Sequence, residues 1–210
     1  MRRALYYMGS VEDEGGASDD SQPKGASPLG AAVKRNFSSL SPQEALRLAI
    51  VIEDRNAHIY QRLGEMFSKS CADSPQIPSA FYDLANEERQ HGILLTERYI
   101  KRFGAVQTDI SEEDIWDFIE APRLAVADIL AAIEAGDELA ARRMAFEMAL
   151  AAEQGAVKYY ARVAKTTPDP ELKALCEEFV AMEQEHTGWA ERALGQLGPH
   201  SNPVEPTPRE

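Results

Sequence analysis

The sequence predicts an all-α protein: a four-helix bundle with one long crossover between its second and third long helices, flanked by disordered tails. Three observations carry that expectation. The middle of the 210-residue chain is rich in Ala, Leu, Glu and Arg, which are strong helix formers, while its 12 Pro and 13 Gly gather toward the ends and between segments. Four stretches repeat apolar residues at alternating spacings of three and four, the signature of one face of a helix. Two of these stretches carry a Glu-x-x-His step, Glu88 to His91 and Glu183 to His186; the other two carry a lone Glu seven residues before a Tyr, Glu53 with Tyr60 and Glu153 with Tyr160.

Residues 1–40 are expected to be a disordered tail. From 9 to 36 they are dominated by Gly, Ser, Asp, Pro and Ala without period, and such a stretch buries too little apolar surface to offset the entropy of ordering. Arg2 and Arg3 ahead of Leu5 and Tyr6 look faintly like a signal n-region, but the apolar stretch ends at Gly9. The bundle is expected over 41–197. Ser41-Pro42-Gln43-Glu44 supplies an N-cap hydroxyl, a proline at the first helical position and a Glu able to return to the cap, so a first helix should run over 42–68. Its inward stripe is Leu46, Ile50, Glu53, Ala57, Tyr60, Gly64 and Phe67. Pro75 and Pro78 should break the connection to a second helix over 79–103, with stripe Phe81, Leu84, Glu88, His91 and Leu95 and a left-handed C-cap at Gly104.

The crossover segment is expected over 105–136. Within it Ser111-Glu112-Glu113-Asp114 caps a short segment with Ile115, Trp116 and Phe118, and Pro122 precedes a further helix ending near Glu134, before the turn Ala135-Gly136-Asp137. The third long helix, 137–166, carries Phe146, Leu150, Glu153, Val157, Tyr160 and Ala164. Asp169-Pro170-Glu171 opens the fourth, 170–196, with Leu172, Cys176, Phe179, Glu183, His186, Ala190, Ala193 and Leu197 inward. Residues 198–210, with Pro199, Pro203, Pro206 and Pro208, should form a second tail. Short links make two antiparallel hairpins, and a connection long enough to travel the bundle lets helices two and three run parallel.

A formal net charge of −13 repels phosphate backbones and anionic membrane surfaces, so no nucleic-acid or membrane partner is expected. No apolar run approaches the length of a membrane span. Two cysteines, Cys71 and Cys176, form no Cys-x-x-Cys, which excludes a disulfide framework and a thiolate knuckle and fits a cytoplasmic location.

Glu53, Glu88, His91, Glu153, Glu183 and His186 all stand where Leu or Ile would normally face the core. Buried carboxylates without cations repel one another and lose their hydration, whereas two divalent metals would neutralise four negative charges and use both imidazoles. The blander alternative is a relic bundle with buried hydrogen-bonded ion pairs. Tyr60 and Tyr160, two turns beyond the ligands, are candidates for supporting them from the next layer out, or ordinary core aromatics. His58 reads as a surface or interface residue, His200 as part of the tail, and Glu87, Glu147 and Glu185 as solvated faces. Cys176 reads as a buried structural thiol, and Trp116 and Trp189 as packing for the crossover or a subunit interface. Hard carboxylates with one imidazole per metal suit two iron ions, with manganese as the alternative.

On these residues the chain resembles the ferritin-like di-iron carboxylate proteins and, within them, the rubrerythrin-like branch lacking a rubredoxin domain. The resemblance runs over residues 41–197, and its motif is a Glu on helix one, Glu-x-x-His on helix two, a Glu on helix three and Glu-x-x-His on helix four. It implies Glu53 and His91 as terminal ligands of one metal, Glu153 and His186 of the other, and Glu88 and Glu183 as bridges. The implied activity is a di-iron oxidoreductase of peroxidase or ferroxidase type, reducing peroxide or dioxygen with electrons from an external donor; the implied assembly is a homodimer. An iron-binding, storage or transfer module without turnover, and a metal-free structural or interaction bundle, are the other two classes. Two departures stand out: Ala156 occupies the position where rubrerythrins proper carry an additional Glu, and two scattered cysteines cannot build a rubredoxin module.

Overall fold

The capping box at Ser41 forms as the sequence requires. The Ser41 backbone N–H donates to Glu44 Oε2 at 2.8 Å, and the Glu44 N–H donates to Ser41 Oγ at 3.2 Å. In a computed structural model, which describes residues 40–70, 75–105 and 126–198, this cap opens α1, Pro42–Ser70. Helix α2, Gln76–Phe103, follows. Next come α3, Val126–Glu134, α4, Glu138–Thr166, and α5, Pro170–Gln196. No strand occurs among the described residues. The expected tails, Cys71, His200 and the segment holding Trp116 all lie outside them.

Two boundaries are explained by backbone chemistry. Pro78 does not break the chain before α2, as the sequence suggested, but sits in the helix's first turn, where a missing N–H leaves no intrahelical bond unmade. Gly104 ends α2 at φ +85°, a conformation open chiefly to glycine, with its N–H donating to the Ile100 carbonyl at 3.0 Å. At the starts of α4 and α5 a short acidic side chain serves as the cap. Asp137 accepts from the Ala140 N–H at 3.0 Å, and Asp169 accepts from the Glu171 and Leu172 N–H groups at 3.1 and 2.9 Å.

Helix directions follow from side-chain partners. Tyr159 of α4 donates to the Ala45 carbonyl near the start of α1, while Tyr60, further along α1, reaches Glu153, so α1 and α4 are antiparallel. Likewise Arg102, at the end of α2, meets Asp169 at the start of α5, and Phe81, at the start of α2, meets Trp189 near the end of α5. With α1–α2 and α4–α5 each folding back as a hairpin, α2 and α4 run parallel. Ile129 of α3 is fully buried at the end where α4 begins. This is the ferritin-like arrangement with one crossover.

The core is divided in two. One apolar cluster joins Leu46, Leu48, Leu95, Tyr159, Val163, Leu172 and Phe179. The other joins Leu63, Phe67, Phe81, Ile129, Ala145 and Phe146, with Trp189 packed against it. Trp189 thus meets Phe81 and Phe146 inside the bundle, in the cluster that also takes Ile129 of the crossover. On α4 the expected stripe is shifted by a residue in places: Ala149 and Ala156 are buried, while Leu150 and Val157 flank the core half-buried. Alanines let the hairpins close together where larger side chains would hold them apart.

Candidate metal centre

Between the two apolar clusters lies a polar layer built from one turn of each long helix. Glu53 on α1, Glu88 on α2 and Glu183 on α5 have no solvent exposure, and Glu153 on α4 has 1%. Spacing explains how α2 and α5 each deliver two groups: residues three apart on a helix project from the same face, so Glu88 and His91, and Glu183 and His186, point together into the layer.

The six side chains meet. His91 Nδ1 lies 3.4 Å from Glu53 Oε2 and 3.3 Å from Glu183 Oε1. His186 Nδ1 lies 2.9 Å from Glu88 Oε1 and 3.6 Å from both Glu153 Oε2 and Glu183 Oε2. The ligand atoms of Glu88, His91, Glu183 and His186 all fall within 4.8 Å of one another. Glu183 thus touches both imidazoles, Glu53 stands with His91, and Glu153 with His186. The two rings stack with centroids 5.4 Å apart and planes inclined by 18°.

Hydrogen bonding leaves this layer incomplete. Glu53 Oε2, both oxygens of Glu88, Glu153 Oε2, both oxygens of Glu183 and Nδ1 of His91 and His186 are buried without a partner of hydrogen-bonding geometry. Buried polar groups are almost always satisfied, so a cluster of convergent orphans that can all donate a lone pair is the signature of a cation site. The outward atoms, by contrast, are satisfied. Tyr160 of α4 donates to Glu53 Oε1 of α1, and Tyr60 of α1 donates to Glu153 Oε1 of α4. The two tyrosines therefore cross between helices, each holding the carboxylate of the opposite half.

Titration follows from burial and like charge. Burial pushes Glu88 well above the usual carboxylate range, and the Glu53 carboxylate pushes it further. Glu153 is raised to about 7 by burial, with the His186 ring pulling the other way. At His91 burial disfavours the charged ring, yet Glu183 and Glu53 outweigh it and raise the group to about 9. His186 is likewise held protonated by Glu153, Glu183 and Glu88 against its own burial. Protons thus stand in at the positions where metal charge would act. Burial, and then the Glu153 and Glu53 carboxylates, raise Tyr60 and Tyr160 well above the usual phenol range, so both remain donors.

One contributor escaped the sequence reading. Glu87, expected on a solvated face, is 57% exposed, yet its Oε2 lies 2.9 Å from His186 Nε2. It accepts the outer ring proton and leaves Nδ1 facing the carboxylates, the support a metal-bound histidine commonly has. Its adjacency to Glu88 was the available signal, but which neighbour of a ligand reaches across to another helix depends on the α2–α5 packing. Glu147 and Glu185 are exposed as expected, and His58 is exposed with Nδ1 2.7 Å from the Asp54 carbonyl. Cys176 is buried, and burial raises its thiol to about 12, which suits a structural group.

The family model described as Rubrerythrin matches residues 145–210. Residues 145–210 thus have the features of a rubrerythrin-family domain. The match spans most of α4 and all of α5 and so includes Glu153, Glu183 and His186; the Glu53, Glu88 and His91 half is supplied by geometry. Neither the curated proteins nor the solved structures compared with the chain gave a match. Rubrerythrins belong to the ferritin-like di-iron family, and the all-helical bundle, the domain and the His/Glu cluster together support a di-iron protein with a dinuclear metal site. No described helix is long and apolar enough to cross a membrane.

Proposed function

We propose that this protein is a rubrerythrin-like, cytoplasmic non-haem di-iron oxidoreductase that reduces peroxide or dioxygen, oxidising ferrous iron or taking electrons from an external donor. The observation that carries the reading is the set of buried carboxylate oxygens and imidazole nitrogens that converge on one space without forming hydrogen bonds of good geometry. Four carboxylates match the charge of two divalent ions, and oxygen donors with one nitrogen per metal favour iron or manganese over structural zinc. Glu53 and His91 would hold one ion, Glu153 and His186 the other, with Glu88 and Glu183 shared. Two ferrous ions side by side supply two electrons together to an oxidant.

The chain's own residues do the rest. Tyr60 and Tyr160 fix the carboxylates of Glu153 and Glu53 at one oxygen each, so the other oxygen of each is aimed inward. Glu87 fixes the His186 tautomer. The flanking apolar clusters help bury the four carboxylates, which strengthens the charge interactions among them. Ala156 is fully buried one turn after Glu153 and presents no further carboxylate there, so a redox cycle at this site would work with the six proposed ligands. That observation favours, as second reading, ferrous oxidation or iron transfer without sustained peroxide turnover.

Elemental analysis, then anaerobic ferrous titration followed by oxygen or peroxide, tests these readings together. Two irons per chain with continued peroxide consumption in the presence of a reductant supports the oxidoreductase, and a single round of oxidation supports the second reading. Glu183→Ala and His186→Ala should each abolish two-metal stoichiometry; two metals retained in both variants would refute the centre.

A further inference from the structure

The six groups of the centre are not equally enclosed. Glu53, Glu88 and Glu183 have no exposure and Glu153 has 1%, whereas the side chains of His91 and His186 keep 13% and 10%. Solvent therefore reaches the centre chiefly at its two imidazoles, on the face where α2 and α5 meet. Helix spacing places apolar side chains one turn to either side of the rings. Leu94 follows His91 on α2 and Met182 precedes His186 on α5, and both pack half-buried on one core cluster; Trp189 follows His186 and packs on the other. Between these apolar walls stands Glu87, 57% exposed, with Oε2 2.9 Å from His186 Nε2.

We infer that divalent metal ions enter the centre through this imidazole face and that Glu87 is the first protein ligand they meet there. The inference rests on the dinuclear reading above. A net charge of −13 draws cations toward the whole surface, and exposed carboxylates are ordinary ligands for hard cations, so position is what singles out Glu87. Its Oε2 already touches the outer nitrogen of a metal ligand, and its Oε1 takes no hydrogen bond among the described residues. Across the same imidazole, His186 Nδ1 lies 2.9 Å from Glu88 Oε1, so an ion held at Glu87 is one ring away from the buried carboxylates.

The contact that closes this face is also the one an ion would break. Glu87 holds the outer edge of the His186 ring, and a cation that claims the Glu87 carboxylate releases that edge, freeing the side chain that stands between solvent and Glu88. The neighbouring arginine does not oppose a cation here: Arg89 is turned toward α1, where it donates to Gln61 Oε1 at 2.9 Å. Once the ion has passed inward, Glu87 returns to Nε2 and supports the ring as a ligand.

The test is stopped-flow loading of metal-free protein with Co²⁺ at low ionic strength, followed by its visible absorption, with final stoichiometry from elemental analysis. Wild type should bind two ions per chain. Glu87→Gln keeps an oxygen that can accept from His186 Nε2 and loses only the charge, so support of the ring survives while capture of the cation does not. It should reach the same two ions about tenfold more slowly, the lower end of what a local field adds to an association rate. Glu97→Gln removes an equal charge from an exposed position beside Arg47 and Asp54 of α1 and should load at the wild-type rate. Wild-type loading in Glu87→Gln, or equal slowing in Glu97→Gln, would overturn the entry while leaving the centre intact. Loss of one ion at saturation in Glu87→Gln would make Glu87 a resident ligand and overturn its role at the entry. A wild type that binds no Co²⁺ would overturn the centre and the entry with it.

Discussion

Replacing Tyr160 by Phe removes one oxygen and leaves the packed ring, so its effect isolates a single hydrogen bond. That bond runs from α4 to Glu53 Oε1 on α1, and Glu53 stands with His91 rather than with His186. A hydrogen bond to a charged group contributes about 1.5–3 kcal/mol. At about 1.4 kcal/mol per decade, its loss should weaken metal binding roughly ten- to hundredfold, the range typical of groups that orient a ligand. The weakening should fall on one ion of the two. A Co²⁺ titration of Tyr160→Phe should therefore become biphasic, one equivalent binding as in wild type and the second at a higher concentration, with two ions still bound at saturation. Tyr60→Phe should give the same shape through Glu153 and the His186 half. Combining Tyr160→Phe with His91→Ala distinguishes the halves, because the tyrosine should matter little once its own half has lost its imidazole. Equal weakening of both ions, or no change in either, would refute the crossed support of the two tyrosines.

Two further predictions concern the metal-free fold and its packing. Glu153 is raised to about 7 and His91 to about 9, so both bind protons more tightly folded than unfolded; the stability each provides is full at low pH and is lost as pH rises through its folded value. For Glu153 that amounts to at most about 3 kcal/mol between pH 4.5 and 7, at about 1.36 kcal/mol per pH unit. Melting of chelator-treated protein should shift to lower temperature from pH 6 to 8, while metal binding, which displaces these protons, should tighten; a metal-free stability that rises over that range would contradict the assignment. Gly64 of α1 meets the ring of Tyr82 on α2, and an added Cβ would lie 2.7 Å from it. Gly64→Ala should therefore lower unfolding free energy in urea by about 1 kcal/mol net, overpacking of about 1–3 kcal/mol exceeding the helix-propensity gain of about 1 kcal/mol; a stabilised variant would show that the ring yields freely.

Much of the site was legible because its residues break a rule that helices otherwise obey. Glu53, Glu88, Glu153 and Glu183 occupy core positions of strong helical periodicity, and the 3.6-residue repeat alone directs them inward. Local chemistry likewise determined the Ser41 capping box, the Gly104 stop and the Asp169 start, since each depends on residues within one turn. What local pattern could not determine were contacts between helices. Pro78 and the α4 stripe were misread by a few residues for that reason: a proline in the first turn and alanines at a close helix contact are decided by what packs opposite.

By itself, then, the sequence determined that four carboxylates and two imidazoles face the core of a helical bundle, because helix periodicity is a property of the single chain segment. Only the tertiary structure decided which of them stand together. The crossing of Tyr60 and Tyr160 and the reach of Glu87 to His186 both depend on the separation and direction of neighbouring helices. Those distances arise from close packing of side chains far apart in the chain, and no single segment encodes them.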